Sequence, residues 1–202
     1  MKDKQLFVFA GPNGSGKSTI VKNAIELGQC PKCFICPDNL VSLKDKDNEI
    51  AYRKAMQQAE AVRYGYIAQG KSFSFETVLS RLEKLEFIRY AKFHGYYVYV
   101  VFVTTESPEI NLNRIKIRVA QGGHDVPSNK VISRYEKSMN LLFDVFIEAH
   151  GADIYDNSGE TPRFIATKIE GVYCIREKPP DWFKKYFISK ATAKNLTINY
   201  FD

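Results

Sequence analysis

The stretch that decides the fold is Gly11-Pro12-Asn13-Gly14-Ser15-Gly16-Lys17-Ser18-Thr19, which fits the phosphate-binding pattern G-x-x-x-x-G-K-[ST]. The apolar residues from Leu6 to Ala10 lead into it and predict a strand. A predicted helix follows it up to Gly28, with apolar residues at helical spacing: Ile20, Val21, Ala24, Ile25 and Leu27. A strand before the pattern and a helix after it is the arrangement of a P-loop, so we predict one here.

The residue types in this stretch suit the binding of ATP. The glycines let backbone N–H groups point at a polyphosphate, at the start of a helix whose dipole favours anions. We expect all nine residues from Gly11 to Thr19 to contact the nucleotide, with Lys17 at the β- and γ-phosphates and the Ser18 hydroxyl on Mg²⁺. The alternative is a glycine-rich turn that only joins a strand to a helix, and such a turn uses neither the lysine nor the serine.

The overall composition indicates one domain without a membrane span. The 202 residues, of which 45% are hydrophobic, provide a substantial core. No run of about 18 apolar residues is present, and Met1 to Gln5 lead into the first strand without a signal peptide. We therefore expect a cytoplasmic protein. The net charge of +6 suits either nucleic acid or a polyanionic small molecule, but no run of Lys and Arg exceeds two residues, which disfavours nucleic acid.

Three cysteines, Cys30, Cys33 and Cys36, follow the spacing C-x2-C-x2-C, which also occurs in metal sites. A tetrahedral site requires a fourth ligand, which would have to be Cys174 or a distant histidine. Cys36 moreover belongs to an apolar run that predicts a buried strand. We therefore favour reduced thiols, some of them in the core, over a metal site.

Strands and helices alternate along the chain, which predicts an α/β fold. Five strands are expected, with helices between them, at residues 6–10, 33–36, 72–77, 96–103 and 152–155. This alternation gives a P-loop kinase-type parallel sheet of about five strands with helices on both faces. We expect residues 1–176 to form this domain, with an edge strand or hairpin at 164–175. We expect the tail, residues 177–202, to be a helix packed on the outside.

Polar side chains follow two of the predicted strands, where ligands bind in parallel sheets. Asp38 comes after the second strand, and we predict that it is the general base that orients an attacking hydroxyl. Glu76 and Thr77 end the third strand and are candidates for holding the hydroxyls of a small-molecule acceptor. The alternatives are a capping or turn role for Asp38, and an ordinary polar strand end for Glu76 and Thr77.

A helical hairpin is predicted at about residues 108–136, with a break at Gly122-Gly123 between Arg118 and Arg134. In one continuous helix these arginines would be about 24 Å apart, whereas the break lets them converge over the phosphates as a lid. Arginine keeps its charge and matches phosphate oxygens, so we expect both residues to stabilise charge during phosphoryl transfer. Arg114 is a weaker candidate for this role. The alternative is that these arginines are solvated on a helix surface.

The sequence shows no Walker B acid at the end of its most apolar strand. Residues 96–103 are followed by Thr104-Thr105 and not by an aspartate. We therefore expect Mg²⁺ to depend on Ser18, on water and on Asp38.

Five segments, taken together in this order, resemble the zeta-toxin family of P-loop kinases, particularly its stand-alone chromosomal members. They are the P-loop, Cys36-Pro37-Asp38, Phe75-Glu76-Thr77-Val78-Leu79-Ser80, the stretch from Arg118 through Gly122-Gly123-His124-Asp125-Val126-Pro127 to Arg134-Tyr135, and Tyr155-Asp156-Asn157-Ser158. The resemblance spans Leu6 to about Ser158. A P-loop alone is widespread, but the ordered set is far more specific.

The resemblance implies an ATP-dependent kinase that phosphorylates a hydroxyl of a UDP-activated amino sugar. It implies Asp38 as the base, Glu76 at the substrate, and Arg118 and Arg134 on the phosphates. For toxin members it also implies neutralisation by a small antitoxin protein. The chain departs from the family at Cys36, where asparagine is common, and in its tail.

The residues alone leave two other functions open. An ATP-gated binding protein with slow hydrolysis is compatible with the missing Walker B acid and with the absence of a motif that fixes an acceptor. A polynucleotide end kinase is suggested only by the basic charge balance. The small-molecule kinase is favoured because it uses more of the parts that phosphoryl transfer requires.

Overall fold

The structure, a computed structural model, describes residues 4–37, 40, 49–123 and 125–201. Strands β1 to β8 are Gln5–Ala10, Phe34–Ile35, Phe73–Thr77, Tyr97–Thr104, Gly151–Asp156, Arg163–Ile169, Val172–Arg176 and Asn199–Phe201. Helices α1 to α5 are Lys17–Glu26, Glu49–Ala68, Leu82–Phe93, Pro108–Ala120 and Ser128–Glu148. Two short helices, α6 at Asp181–Phe183 and α7 at Ser189–Ala193, flank a π-helical turn at Lys184–Ile188. Among all the described residues, no helix is both long enough and apolar enough to span a membrane.

The strands form one sheet in the order β2-β3-β1-β4-β5-β6-β7-β8. The strands from β2 to β5 in this order are parallel. The central strands are buried on both faces, because the crossovers between parallel strands place helices on each side. Alternate residues of β1 therefore enter different cores. Val8 shares a core with residues of α3 and α5, whereas Phe9 packs with residues of α1.

The sheet has eight strands in the described part of the chain, and the prediction of about five was wrong. The three additional strands lie together at one edge. β6 and β7 form an antiparallel hairpin, in which Ile169 pairs with Val172 across Glu170 and Gly171. These two turn residues have φ values of 49° and 81°, as a two-residue hairpin turn requires. β8 comes from the tail, which the sequence predicts as a helix, and it pairs with the edge strand β7 because an edge strand offers unpaired backbone groups.

The C-terminal segment, residues 177–201, packs on α5 through aromatic side chains. Phe183 and Phe187 are fully buried, with ring centroids 4.6 Å apart. Phe187 also contacts Phe143 and Phe146 of α5, with centroid distances of 5.2 Å and 4.9 Å. Aromatic pairs at such distances stabilise a core by more than their buried area alone. The segment therefore shares the main core of the protein.

The helical hairpin consists of α4, the first turns of α5 and the connection between them. Pro108 is the first residue of α4 and follows Ser107 at the N-cap, as proline does when its missing N–H is of no consequence. α4 ends at Ala120, and α5 begins at Ser128. Gly122, in the connection, has a φ of 82°. The chain thus breaks at the predicted glycines, because a left-handed backbone ends a helix at little cost only at glycine.

Candidate active site

The P-loop connects β1 to α1, and its shape depends on Gly11, Gly14 and Gly16, each with a positive φ. Gly16 precedes α1 with a φ of 89°, and a Cβ at this position would collide with the side-chain amide of Asn157. Gly14 has a φ of 78°, and a Cβ there would lie 2.7 Å from the carbonyl oxygen of Asn111. Glycine alone fits a left-handed backbone this close to its neighbours. The P-loop is therefore enclosed between α4 and the loop that follows β5.

A cleft of about 270 Å³ opens beside the P-loop, at the carboxyl ends of the strands. Within the described part of the chain, its lining combines the P-loop with residues of β3 and α4: Asn13, Gly14, Gly16, Lys17, Ser18, Thr19, Glu76, Arg114, Ile115 and Arg118. The cleft thus brings three cations and one carboxylate to a P-loop. This charge pattern suits a polyphosphate accompanied by a metal ion.

Lys17 is the most deeply buried charge in the cleft lining, with 4% exposure. Its ammonium group donates a hydrogen bond of 2.8 Å to the carbonyl oxygen of Pro12 and lies 3.9 Å from a carboxylate oxygen of Glu76. Burial lowers the pKa of Lys17, and Arg118 acts in the same direction, whereas Glu76 raises it. An anion bound in the P-loop would oppose the effect of burial, because it favours the charged form of the lysine. The loop is therefore electrostatically suited to phosphate.

Glu76 lies against the first turn of α1. The Ser18 hydroxyl donates a hydrogen bond of 3.0 Å to Glu76 Oε2. The contact arises because β3 is a neighbour of β1 in the sheet, where Phe9 pairs with Glu76. A serine hydroxyl and a carboxylate are oxygen ligands of the kind that Mg²⁺ prefers. These two side chains therefore fit a magnesium ion, and Glu76 places an acid at the end of β3, whereas no aspartate ends β4.

The other acceptor-side candidates are placed differently. Thr77 does not belong to the described lining of the cleft, and its hydroxyl accepts a hydrogen bond of 3.1 Å from the backbone N–H of Leu79. Leu79 has a φ of 53°, so the Thr77 hydroxyl supports an uncommon backbone conformation after β3. Asp38, the predicted base, lies outside the described residues.

The helical hairpin brings its arginines to the P-loop. Arg118 lines the cleft, and Arg134 Nη1 donates a hydrogen bond of 3.4 Å to Asn13 Oδ1. Arg114 also lines the cleft, and its Nη2 donates to the carbonyl oxygen of Gly159 at 3.3 Å. The hairpin therefore places the two predicted arginines and the weaker candidate at or beside a single site.

Asn157 is a site residue to which the sequence analysis assigned no role. Its Nδ2 donates a hydrogen bond of 2.8 Å to the carbonyl oxygen of Ser15, inside the P-loop. Its backbone N–H donates to the carbonyl oxygen of Thr104 at 2.7 Å, which ties it to the end of β4. Its position after an apolar strand, among polar residues, was the available signal, because such strand ends converge on the ligand site.

No cysteine belongs to the described lining of the cleft. All four are free thiols, and burial raises the pKa of Cys30. Among the described residues, no group of three or more His, Cys, Asp or Glu side chains is close enough to hold a metal ion.

Comparisons with known proteins agree with the P-loop and the sheet described above. The family model for Zeta toxin matches residues 2–168, and no curated protein matches the chain. A structure of the PezAT chromosomal toxin-antitoxin system of Streptococcus pneumoniae is 15% identical, with a TM-score of 0.63 over 93% of this chain and 80% of that chain. A structure of AvrRxo1-ORF1:-ORF2 with ATP is 17% identical, with a TM-score of 0.70 over 91% of this chain and 63% of that chain.

This chain spans less than two thirds of the AvrRxo1 chain that it resembles. At identities of 15% and 17%, the likeness to these structures shows the fold alone. The predicted α/β fold and the predicted family are confirmed.

Proposed function

The chain belongs to the zeta toxin family, and on that premise we propose that it is a Mg²⁺-ATP-dependent kinase that phosphorylates a hydroxyl of a UDP-activated amino sugar. The family and the fold are those of ATP-dependent kinases in general. The observation that carries the proposal is the cleft, in which Glu76 and Arg118 lie beside Lys17 and Ser18 of the P-loop. Phosphoryl transfer requires a phosphate site, a metal ion and arginines over the transferred group, and the cleft offers residues for each.

The nucleotide half of the proposal rests on the P-loop. Its backbone N–H groups and Lys17 bind the β- and γ-phosphates of ATP. Ser18 and Glu76 would hold Mg²⁺, which would neutralise charge on the phosphate oxygens. The buried position of Lys17 supports this assignment, because a cation with few solvent contacts is compensated by phosphate.

The acceptor half of the proposal assigns Asp38 as the general base. Asp38 accepts the proton of the sugar hydroxyl, whose oxygen bonds to the γ-phosphorus while the bond to the β–γ bridging oxygen breaks and ADP leaves. Glu76 and Thr77 contact the acceptor at the end of β3. Arg118 and Arg134 stabilise the charge that develops on the transferred phosphoryl group.

A protein partner is part of the proposal. The PezAT structure is described as a toxin-antitoxin system, and we infer that a small antitoxin neutralises this chain too. We also place the enzyme in the cytoplasm, where it would meet ATP and nucleotide sugars.

The test is a phosphate-transfer assay with γ-labelled ATP and a graded set of acceptors. The set contains UDP-N-acetylglucosamine, UDP-glucose, N-acetylglucosamine 1-phosphate and UDP. UDP-N-acetylglucosamine should give the most labelled product, and acceptors that lack the acetamido or the uridine group should give less or none. Asp38→Asn should abolish transfer while ATP still binds.

Three results would contradict the proposal, each in a different way. ATP binding with slow hydrolysis and no labelled acceptor would indicate an ATP-gated binding protein. Labelling of short single-stranded RNA or DNA ends in preference to sugars would indicate a polynucleotide kinase. Equal transfer by wild type and Asp38→Asn would remove Asp38 from its role as base.

A further inference from the structure

Trp182 in the C-terminal segment is hydrogen-bonded to Asp156, the last residue of β5, and this contact has a consequence for the P-loop. We propose that Trp182 is a positioning residue, which acts through Asp156 to hold Asn157 and Ser158 in place against the P-loop and α4. The inference rests on the proposed function only where ATP is concerned. Trp182 lies beyond residue 168, where the family match ends, so the inference concerns a part of the chain that the family does not describe.

The first step is the bond between Trp182 and Asp156. Trp182 is the single tryptophan of the chain and is 6% exposed. Its indole Nε1–H donates a hydrogen bond of 2.8 Å to Asp156 Oδ2. Asp156 is itself 7% exposed. A buried carboxylate is stable only when donors surround it, so the indole N–H is a required partner and not an incidental contact.

The second step is the use of the other carboxylate oxygen. Asp156 Oδ1 accepts hydrogen bonds from the backbone N–H of Ser158, at 2.9 Å, and from the Ser158 hydroxyl. The same hydroxyl accepts a hydrogen bond of 2.8 Å from the backbone N–H of Glu106, just after β4. The Asp156 carboxylate therefore binds the turn at Ser158 through Oδ1 and the indole of Trp182 through Oδ2.

The third step leads from this turn to the nucleotide site. Asn157, between Asp156 and Ser158, donates its side-chain N–H to Ser15 in the P-loop at 2.8 Å. The carbonyl oxygen of Ser158 accepts from Arg114 Nη2 at 3.5 Å, and Arg114 lines the cleft. A change in the orientation of Asp156 would move both contacts. Trp182 thereby influences the P-loop without touching it.

The test compares two substitutions in the C-terminal segment that each remove one hydrogen-bond donor and keep an aromatic ring. Trp182→Phe removes the donor to Asp156. Tyr186→Phe is the matched control, because Tyr186 is also 6% exposed and donates from its hydroxyl at 2.6 Å to Glu136, on α5. Both substitutions should lower the melting temperature, and Trp182→Phe also leaves a cavity, so Asp156→Asn, which keeps the side-chain size, separates the lost hydrogen bond from the lost volume.

The first measurement uses the protein without nucleotide. Amide hydrogen exchange at Glu106, Asn157 and Ser158 should be faster in Trp182→Phe than in wild type, by about threefold or more. Tyr186→Phe should leave exchange at these amides unchanged. Equal exchange in the two variants would overturn the inference, whatever the protein does with ATP.

The second measurement is ATP binding by calorimetry, together with KM and kcat. Trp182→Phe should raise the Kd and the KM for ATP by about two- to thirty-fold, the range found for residues that couple to a site indirectly, and should change kcat less. Tyr186→Phe should raise neither. Unchanged ATP affinity in Trp182→Phe, with binding intact in wild type, would overturn the inference, whereas no ATP binding by wild type would overturn the proposed function and leave hydrogen exchange to decide.

A second variant guards against misfolding of Trp182→Phe. Asp156→Asn keeps the size of the side chain but replaces one acceptor oxygen by a donor, so it cannot accept from both Trp182 and Ser158. It should reproduce the faster exchange and the weaker ATP binding. Wild-type behaviour of Asp156→Asn in both measurements would show that the network does not position the loop.

Discussion

The P-loop and the helical hairpin bring their cations to the same cleft in opposite ways. Lys17 of the P-loop is 4% exposed and hydrogen-bonded to its own loop. Arg118 of the hairpin is exposed, and Arg134 is half-buried, with a 3.4 Å hydrogen bond to Asn13. The P-loop is also enclosed by Asn157 and by α4, whereas the hairpin reaches the cleft by long side chains.

This difference indicates a division of labour between binding and catalysis. A charge that is already fixed loses little entropy when a phosphate arrives, so Lys17 contributes to the affinity for ATP. The charge of a more exposed arginine is screened by solvent, which weakens its attraction to the ground-state phosphates. Its contribution is realised when charge develops on the transferred group, and such interactions raise kcat. Substitutions on the two sides of the cleft should therefore have different kinetic signatures.

The largest effect is expected from Arg118→Ala and Arg134→Ala. Each should lower kcat by about 10³-fold or more, as arginines over a transferred phosphoryl group do elsewhere, while the Kd for ATP changes far less. Calorimetry and steady-state kinetics on the same preparations give both quantities. Lys116→Ala is the control, because Lys116 is exposed on α4 and outside the described cleft lining, and its removal changes the net charge equally.

The comparison breaks down if the arginine variants lose ATP affinity in proportion to turnover. The two residues would then bind the ground state as Lys17 does. If neither quantity changes, the arginines are solvated helix residues.

The next largest effect is expected from Lys17→Ala, which should impair both turnover and ATP binding. kcat should fall by about 10²- to 10³-fold, and the Kd for ATP should rise by about tenfold or more, because a charge-assisted hydrogen bond is lost in both states. Lys22→Ala is the control on α1, since Lys22 is exposed and its ion pair with Glu26 is 3.9 Å long. An unchanged Kd in Lys17→Ala would place Lys17 in the same class as the arginines and remove the contrast.

The P-loop side of the cleft could be predicted from sequence because its signals are local. The strand before Gly11, the helix after Gly16 and the type of each residue between them are adjacent in the chain. The hairpin was also predictable, since Gly122 allows the backbone conformation that ends α4. In both cases neighbouring residues determine the geometry.

The contact between Ser18 and Glu76 was not predictable in the same way. It depends on β3, and not only β4, being a neighbour of β1, and strand order is set by packing between distant segments. No aspartate stands at the end of β4, whereas Glu76 lies at the end of β3, the other strand that neighbours β1. The pairing of β8 with β7 and the hydrogen bond from Trp182 to Asp156 were not predictable for the same reason, because each joins segments that are far apart in the chain. The β6–β7 hairpin is local, and the sequence predicted an edge strand or hairpin there.

A smaller effect is expected from Glu76→Gln, which sharpens the comparison by testing the metal side of the P-loop. Replacing the carboxylate should raise the Mg²⁺ concentration that supports half-maximal ATP binding by about tenfold or more, since a neutral amide is a weaker ligand partner. Calorimetric ATP titrations at several Mg²⁺ concentrations measure this without turnover. Glu83→Gln, at an exposed position in α3, is the charge-matched control. An unaltered Mg²⁺ requirement would leave Glu76 with an acceptor role alone.

The smallest effect is expected from Gly16→Ala, compared with Gly28→Ala as a control. This pair tests the shape of the P-loop without changing its charges. Both glycines have positive φ, at 89° and 68°, so alanine costs about 1–2 kcal/mol of backbone strain at either position. At Gly28 a Cβ meets no atom within 4 Å among the described residues, whereas at Gly16 it collides with Asn157. Gly28→Ala should therefore lower the melting temperature by about 2–8 °C and keep ATP affinity. Gly16→Ala should lower it further and weaken ATP binding, because Asn157 must move away from Ser15. Equal losses in the two variants would mean that the contact between Asn157 and the P-loop does not support the nucleotide site.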